Sequence, residues 1–420
     1  MSVSGWFFSR GHCCPAWVLI ACALALPAQA EQVTITAEFK PDSAYPHRNK
    51  FRNTTPPSGY CASYPQQCVD NEMFSLQVPI QFESRLPIPA NHASERQGAM
   101  IKVPSQWREL TVLHEQTREP KIVKVRIAGI GSNMSTDDVI SLVGGGDDYR
   151  VAHNQLWGNS WVYAPPPCLY SGVGWFTPTN YTFFWKTPEN GVCSKQAKFD
   201  VPWMRFAHLD FAYELETPDP LGMSSGFYNG SLTYTIGPNG DFDFGDVMLP
   251  SDSALTLNFN LDVQHTLKVE IPPGGEKVEL VPAGGWQNWL QAGRRPVRLF
   301  RDQTFNISAS SRFKMQMFCG LSIGPYDCVI RDRDSRYSVE LQVSVTLPNG
   351  LTDMAGQPVR RQRLRAGEGN ALQFQPGFYV DRAPGTLHFE VPQHQMEYML
   401  KPGAASTYSG SVTVIWDSEF

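Results

Sequence analysis

Gly222-Met223-Ser224-Ser225-Gly226 fits the G-x-S-x-G pattern of a serine nucleophile. That chemistry needs a strand before the serine and a helix after it, so that the hydroxyl projects from a sharp turn. Here the motif follows a proline-rich connector and runs into Phe227, Leu232, Tyr234 and Ile236, which read as strand. It is expected to be a chance match, and the chain is expected not to be an enzyme. Gly144-Gly145-Gly146-Asp147-Asp148 lacks the lysine and the following helix of a phosphate site. Its two carboxylates could contribute to a calcium or sugar-hydroxyl site; the alternative is a solvated surface loop. The histidines are scattered and no C-x-x-C pair occurs, so neither a metal nor a cofactor is expected.

Between Gly144 and Cys193 the chain is dense in aromatic residues. Aromatic rings offer flat apolar faces with a polar edge, which suits sugar rings and protein anchors as well as cores. Trp157, Trp161, Tyr163 and Trp175 are the candidates for a receptor surface, two or three of them expected to be exposed, with Asp147, Asp148 and Asn154 as nearby polar contacts.

The elements that must position these residues belong to an exported protein. Arg10, the apolar run Ala16 to Leu26 and Pro27-Ala28-Gln29-Ala30 read as a signal peptide, residues 1–30. The run is shorter than the roughly 20 residues of a membrane span. Six cysteines remain beyond it, and in an exported chain an even count implies disulfides. Six cysteines allow fifteen connectivities. Proximity in sequence favours Cys61–Cys68, Cys168–Cys193 and Cys319–Cys328. The net charge of −5 argues against a nucleic-acid partner, which would want a basic face.

Strand patterns dominate. From Leu255 to Ile271 every odd position is apolar except His265, and every even position is polar. A period of two places one face in a core and the other in water. The run is long for one strand, so a bend or a switch between sheets is expected near His265, itself expected to be a hydrogen-bonded core residue. Val339, Leu341, Val343, Val345 and Leu347 repeat the pattern before the turn Pro348-Asn349-Gly350. Gln393–Leu400 is the only helix expected in the second half. The fold class expected is all-β, two β-sandwich domains, the second immunoglobulin-like. The stiff segment Glu216–Gly222, with two prolines in three residues, sets the expected boundary, giving domains 31–222 and 223–420. Tyr408, Val412, Val414, Trp416 and Phe420 share one parity and form the apolar face of an expected last strand. An apolar strand without a neighbour recruits another chain, as in β-augmentation by a donated strand.

Several segments resemble the tip adhesins and minor subunits of chaperone-usher fimbriae of enteric-type Gram-negative bacteria: TAEFKPDS (36–43), FFWKTPENGVC (183–193), ETPDPLGMSSGFYNGSLTYTIG (216–237), LDVQHTLKVEIPPGG (261–275), LVPAGGWQNWL (280–290) and YSGSVTVIWDSE (408–419). The resemblance implies a receptor-binding first domain, with a host or surface glycan as the candidate receptor. It also implies an incomplete pilin domain lacking one strand. A periplasmic chaperone would fill that groove first, and a neighbouring pilin subunit later, at the outer-membrane usher. Tyr408, Val412, Val414, Trp416 and Phe420 would line or flank it, and the protein would reach the fimbrium tip on the cell surface through the periplasm. The alternative is a structural or initiator subunit without a receptor. Two points stay open: the register of the last strand, and whether residues 31–40 are a donor strand or the first strand of the adhesin domain.

Overall fold

The run that begins at Leu255 becomes the strand Ala254–Val263, whose residues alternate strictly between half-buried and buried. The computed structural model describes residues 30–418 except Glu72, Ser171, Val173, Arg294 and 401–406, so the signal-peptide reading and Phe420 lie outside the described residues. Ala254–Val263 pairs antiparallel with Gly226–Thr235 on one side and parallel with Glu31–Phe39 on the other. All three belong to one curled sheet of 13 strands, which wraps the first core. Ile35, Ala37 and Phe39 are buried in that core, so residues 31–39 are the first strand of the first domain.

The alternation breaks at Gln264–Thr266, and Leu267–Glu270 then enters a different sheet by pairing with Leu299–Ala309. The switch expected near His265 is therefore present. His265 is half-buried: its Nε2 lies 2.9 Å from the Met223 carbonyl and its Nδ1 3.2 Å from Ser310 Oγ, and its ring meets Phe39 edge-on. Burial holds its pKa below the usual imidazole value.

The domain division accordingly falls at 264–266, not near residue 222. The proline-rich segment forms the short 3₁₀ turn Pro220–Gly222, capped by Asp219, and Leu221 is buried in the first core. The strands on either side of it, Leu209–Glu216 and Gly226–Thr235, lie in the same sheet. Stiffness read from composition marked a turn within a domain, because both flanking strands have apolar faces that only one core can cover.

The second domain is a sandwich of two antiparallel sheets around its own core. One contains Leu299–Ala309, Val380–Val391, Ser338–Thr346 and Asp327–Asp332; the other orders Leu351–Asp353, Leu372–Pro376, Phe313–Cys319 and Val412–Asp417. Gln393–Met399 is helical as expected, with Met396 buried. A second helix, Gly285–Ala292, was not expected; Gly284 and Gly293, at φ 80° and 65°, bracket it in left-handed conformations that favour glycine. All three local cysteine pairs are closed as disulfides.

Candidate functional site

Ser224 stands where the turn Pro220–Gly222 passes into the strand Gly226–Thr235, so no helix follows it. Its hydroxyl donates to Glu119 Oε2 at 2.9 Å, as does the Tyr228 hydroxyl at 2.8 Å. Burial alone would raise the Glu119 carboxyl, but the hydrogen bonds from Lys121, Tyr228 and Ser224 outweigh it and hold the pKa near 2. A carboxylate that weakly basic does not activate a hydroxyl near neutral pH.

The aromatic stretch divides into core and surface. The helix Tyr149–Trp157 starts at Asp148, whose carboxylate accepts from the Arg150 backbone N–H at 2.8 Å and also pairs with the Arg150 guanidinium. Asp148 is thereby committed to capping the helix; Asp147 and Asn154 are exposed. The helix buries Ala152, His153, Leu156 and Trp157 and ends at Gly158, φ 78°. Trp157 and Trp161, taken from sequence as receptor candidates, are 3% and 0% exposed and cannot touch a ligand. Trp161 stacks on Trp185 with centroids 5.2 Å apart, and Trp157 meets it edge-on at 5.2 Å. Lys195 is buried beside them; its Nζ lies 5.8 Å from the Trp161 ring and donates to the Ser160 carbonyl and the Asn159 side chain. Burial pushes its pKa down to about 8.

Tyr163 and Trp175 do reach solvent, at 59% and 57% exposure, together with Leu169 and Tyr170. Tyr170 pairs with Trp185 and Leu169 with Lys186, on the strand Asn180–Lys186, and the Trp175 carbonyl accepts from Thr182 N on that strand. Leu169, Tyr170 and Trp175 therefore lie along one edge of this strand, next to the Cys168–Cys193 bridge, and the Tyr163 and Tyr170 rings lie 6.2 Å apart. Leu169 and Tyr170 were not singled out in the sequence; their place in an edge strand is what exposes them.

In the second domain Val412–Asp417 pairs with Phe313–Cys319, Val414 opposite Met317 and Trp416 opposite Met315. Among the described residues no strand pairs with its other side. Val412, Val414 and Trp416 are half-buried against the second core, with Trp416 5.6 Å from Phe305, while Ile415 on the other face is 41% exposed. Tyr408 is not on this strand. Tyr408–Ser409 pairs with Arg331–Asp332 in the opposite sheet, and the chain crosses over at Gly410-Ser411. Gly410 fits that crossing because a Cβ there would lie 2.9 Å from the Val329 carbonyl oxygen. Shared parity in the sequence thus hid a change of sheet.

No family model and no curated protein matches the chain. Among solved structures it is similar to CfaE, the adhesive subunit of CFA/I fimbria of enterotoxigenic Escherichia coli, at 10% identity over 93% of this chain and 95% of that one, TM-score 0.27. It is similar to a chaperone–tip adhesin complex of CFA/I fimbriae at 9% identity, covering 93% and 97%, TM-score 0.25. A third is the CsuC–CsuE chaperone–tip adhesion subunit pre-assembly complex of archaic chaperone-usher Csu pili from Acinetobacter baumannii, at 9% identity, covering 92% and 98%, TM-score 0.20. Of these three, one is described as a free adhesive subunit and two as chaperone complexes of a tip subunit.

Proposed function

We propose that the protein is a non-enzymatic fimbrial tip adhesin, exported through the periplasm and assembled by donor-strand complementation. The observation that carries this reading is Val412–Asp417, an edge strand in a sandwich whose inward side chains are only half covered. From Val412 to Trp416 such an edge offers backbone groups that no strand among the described residues pairs, beside apolar surface, which is what an added strand satisfies. A periplasmic chaperone would supply that strand first and a neighbouring pilin subunit later, at the usher. The first domain has its own core and the exposed group Tyr163, Leu169, Tyr170 and Trp175, which suits contact with a receptor on a host or other surface. The placement of residues 31–39 as a paired inner strand supports the tip position, since a strand held in its own core is not free to be donated.

Co-expression with the cognate periplasmic chaperone tests assembly. The complex is expected to form with the intact chain and to be lost on removal of residues 408–420 or on Val414→Asp. Stable complex from the truncated chain would sink the donor-strand reading. Receptor contact is tested separately on a glycan array. Tyr163→Ala with Trp175→Ala is expected to weaken binding at least about tenfold, a loss of ~1.4 kcal/mol. A chain that joins the fibre and binds no glycan or cell surface would instead be a structural or initiator subunit.

A further inference from the structure

The curled sheet of the first domain leaves a seam. Arg52–Asn53 pairs only with Glu31–Phe39, and Phe74–Val78 pairs only with Leu209–Glu216, among the described residues. Between these outer strands lies a cleft of about 1010 Å³, at the upper end of the roughly 300–1,000 Å³ typical of small-molecule sites. Its floor is aromatic: Phe51, Phe74, Trp107 and Tyr213 line it, and Phe74 is 49% exposed. These rings are held in place. Tyr213 pairs with Phe74 across the strands, and its hydroxyl accepts from Asn53 Nδ2 at 2.8 Å. The Arg126 guanidinium sits 5.7 Å from the Trp107 ring and is fixed by two 2.7 Å hydrogen bonds to Glu214.

The rim is cationic. Lys40, Arg48, Lys50 and Arg52 line the cleft against Glu38, Asp42 and Glu214. Glu38 is paired with Arg52 and Glu214 with Arg126, which leaves Lys40, Arg48 and Lys50 facing the single carboxylate of Asp42. The loop carrying these cations is anchored on its far side to the second domain, through Tyr379 N to the Pro46 carbonyl at 3.0 Å and a His47–Phe378 ring contact at 4.4 Å. The rim is therefore positioned before any ligand arrives, which lowers the ordering cost of binding.

We propose that this cleft is a second binding site, separate from the Tyr163–Trp175 surface, and that it takes an acidic saccharide, a glycan carrying carboxylate or sulfate groups. Aromatic faces accept the C–H faces of sugar rings. Arginine and lysine above them meet the acidic substituent, arginine through a fork that matches planar oxyanions. The excess of cations without an ion pair among the described residues separates such a ligand from a neutral one. The inference rests on the adhesin reading only for its biological meaning, since binding at the cleft does not require assembly into a fibre.

Titration of the purified full chain with 3′-sialyllactose, a heparin-derived hexasaccharide and lactose tests it, the first two separating carboxylate from sulfate. At least one acidic sugar is expected to bind about tenfold or more tightly than lactose, and rising salt is expected to weaken it. Arg48→Ala with Lys50→Ala, both exposed, is expected to reduce acidic binding at least about tenfold with the thermal midpoint unchanged. Phe74→Ala is expected to weaken whichever acidic sugar binds, because its ring is the exposed part of the floor. Equal binding of acidic and neutral sugars, or wild-type binding by the double variant, overturns the proposal. So does an acidic hexapeptide that competes as well as the sugars. Acidic binding lost in Tyr163→Ala with Trp175→Ala but kept in the rim variant would sink the cleft and leave the adhesin reading standing.

Discussion

Trp161→Ala is expected to destabilise the first domain by about 3–5 kcal/mol, the usual cost of emptying a large aromatic from a core. The indole is fully buried and touches Trp157, Phe183, Trp185 and Phe206. Its own Nε1 has no hydrogen-bond partner among the described residues, so the loss is one of packing and apolar burial. The hydrogen bond from Trp185 Nε1 goes to the Trp161 backbone carbonyl at 2.8 Å and survives the substitution. Lys195, buried against the same ring, keeps its Ser160 and Asn159 contacts but loses its aromatic neighbour. Trp175→Ala, with 57% of the side chain in solvent, is expected to stay within about 0.5 kcal/mol of wild type. Urea unfolding followed by tryptophan fluorescence measures both. Near-equal midpoints for the two variants would show that the aromatic stretch is not divided into core and surface in this way.

That division was not legible in the sequence. Aromatic density says that rings will be buried somewhere, but the described residues between 158 and 175 are mostly loop, and only a periodic element fixes which face is inside. Where such an element exists, the reading was good: Ala254–Val263 alternates as its sequence does, and His265 marks the change of sheet that its break in parity suggests. The disulfides were legible because each joins near neighbours in the chain. The domain boundary was not, since two prolines look the same in a linker and in a turn within a sheet. The last strand was legible from Val412 to Trp416, but Tyr408 was misplaced because Gly410 lets the backbone cross between sheets without disturbing the apolar parity. The cationic cleft was beyond reach altogether. Its floor and rim come from positions near 40–53, 74, 107 and 213, which only the curling of the sheet brings together.

A second large effect concerns Asp210, in the strand Leu209–Glu216 and only 5% exposed. Its Oδ2 accepts the Tyr60 backbone N–H at the start of the short helix Tyr60–Ser63, the Ser75 side chain acts on the same carboxylate, and its buried Oδ1 has no hydrogen-bond partner among the described residues. Gly59 closes over it: φ is 64°, and a Cβ there would lie 2.4 Å from the carboxylate oxygen. Burial raises the pKa from 3.8 to about 7, partly offset by the Tyr60 N–H and the Ser75 side chain. The native state therefore holds a proton that the unfolded chain releases between those two values. The contribution to stability is complete below about pH 3.8 and is lost as the pH rises through 7. A shift of roughly three units corresponds to at most about 4 kcal/mol. Asp210→Asn keeps the acceptor for Tyr60 and places an N–H where the protonated acid places its hydroxyl. It is expected to match wild type near pH 4 and to exceed it by about 2–4 kcal/mol at pH 8. Urea midpoints of both proteins across that range give the difference, in which other titrating groups cancel. A difference that does not grow between pH 4 and pH 8 would mean that Asp210 is charged in the native state, and that water or a side-chain rotation satisfies its second oxygen.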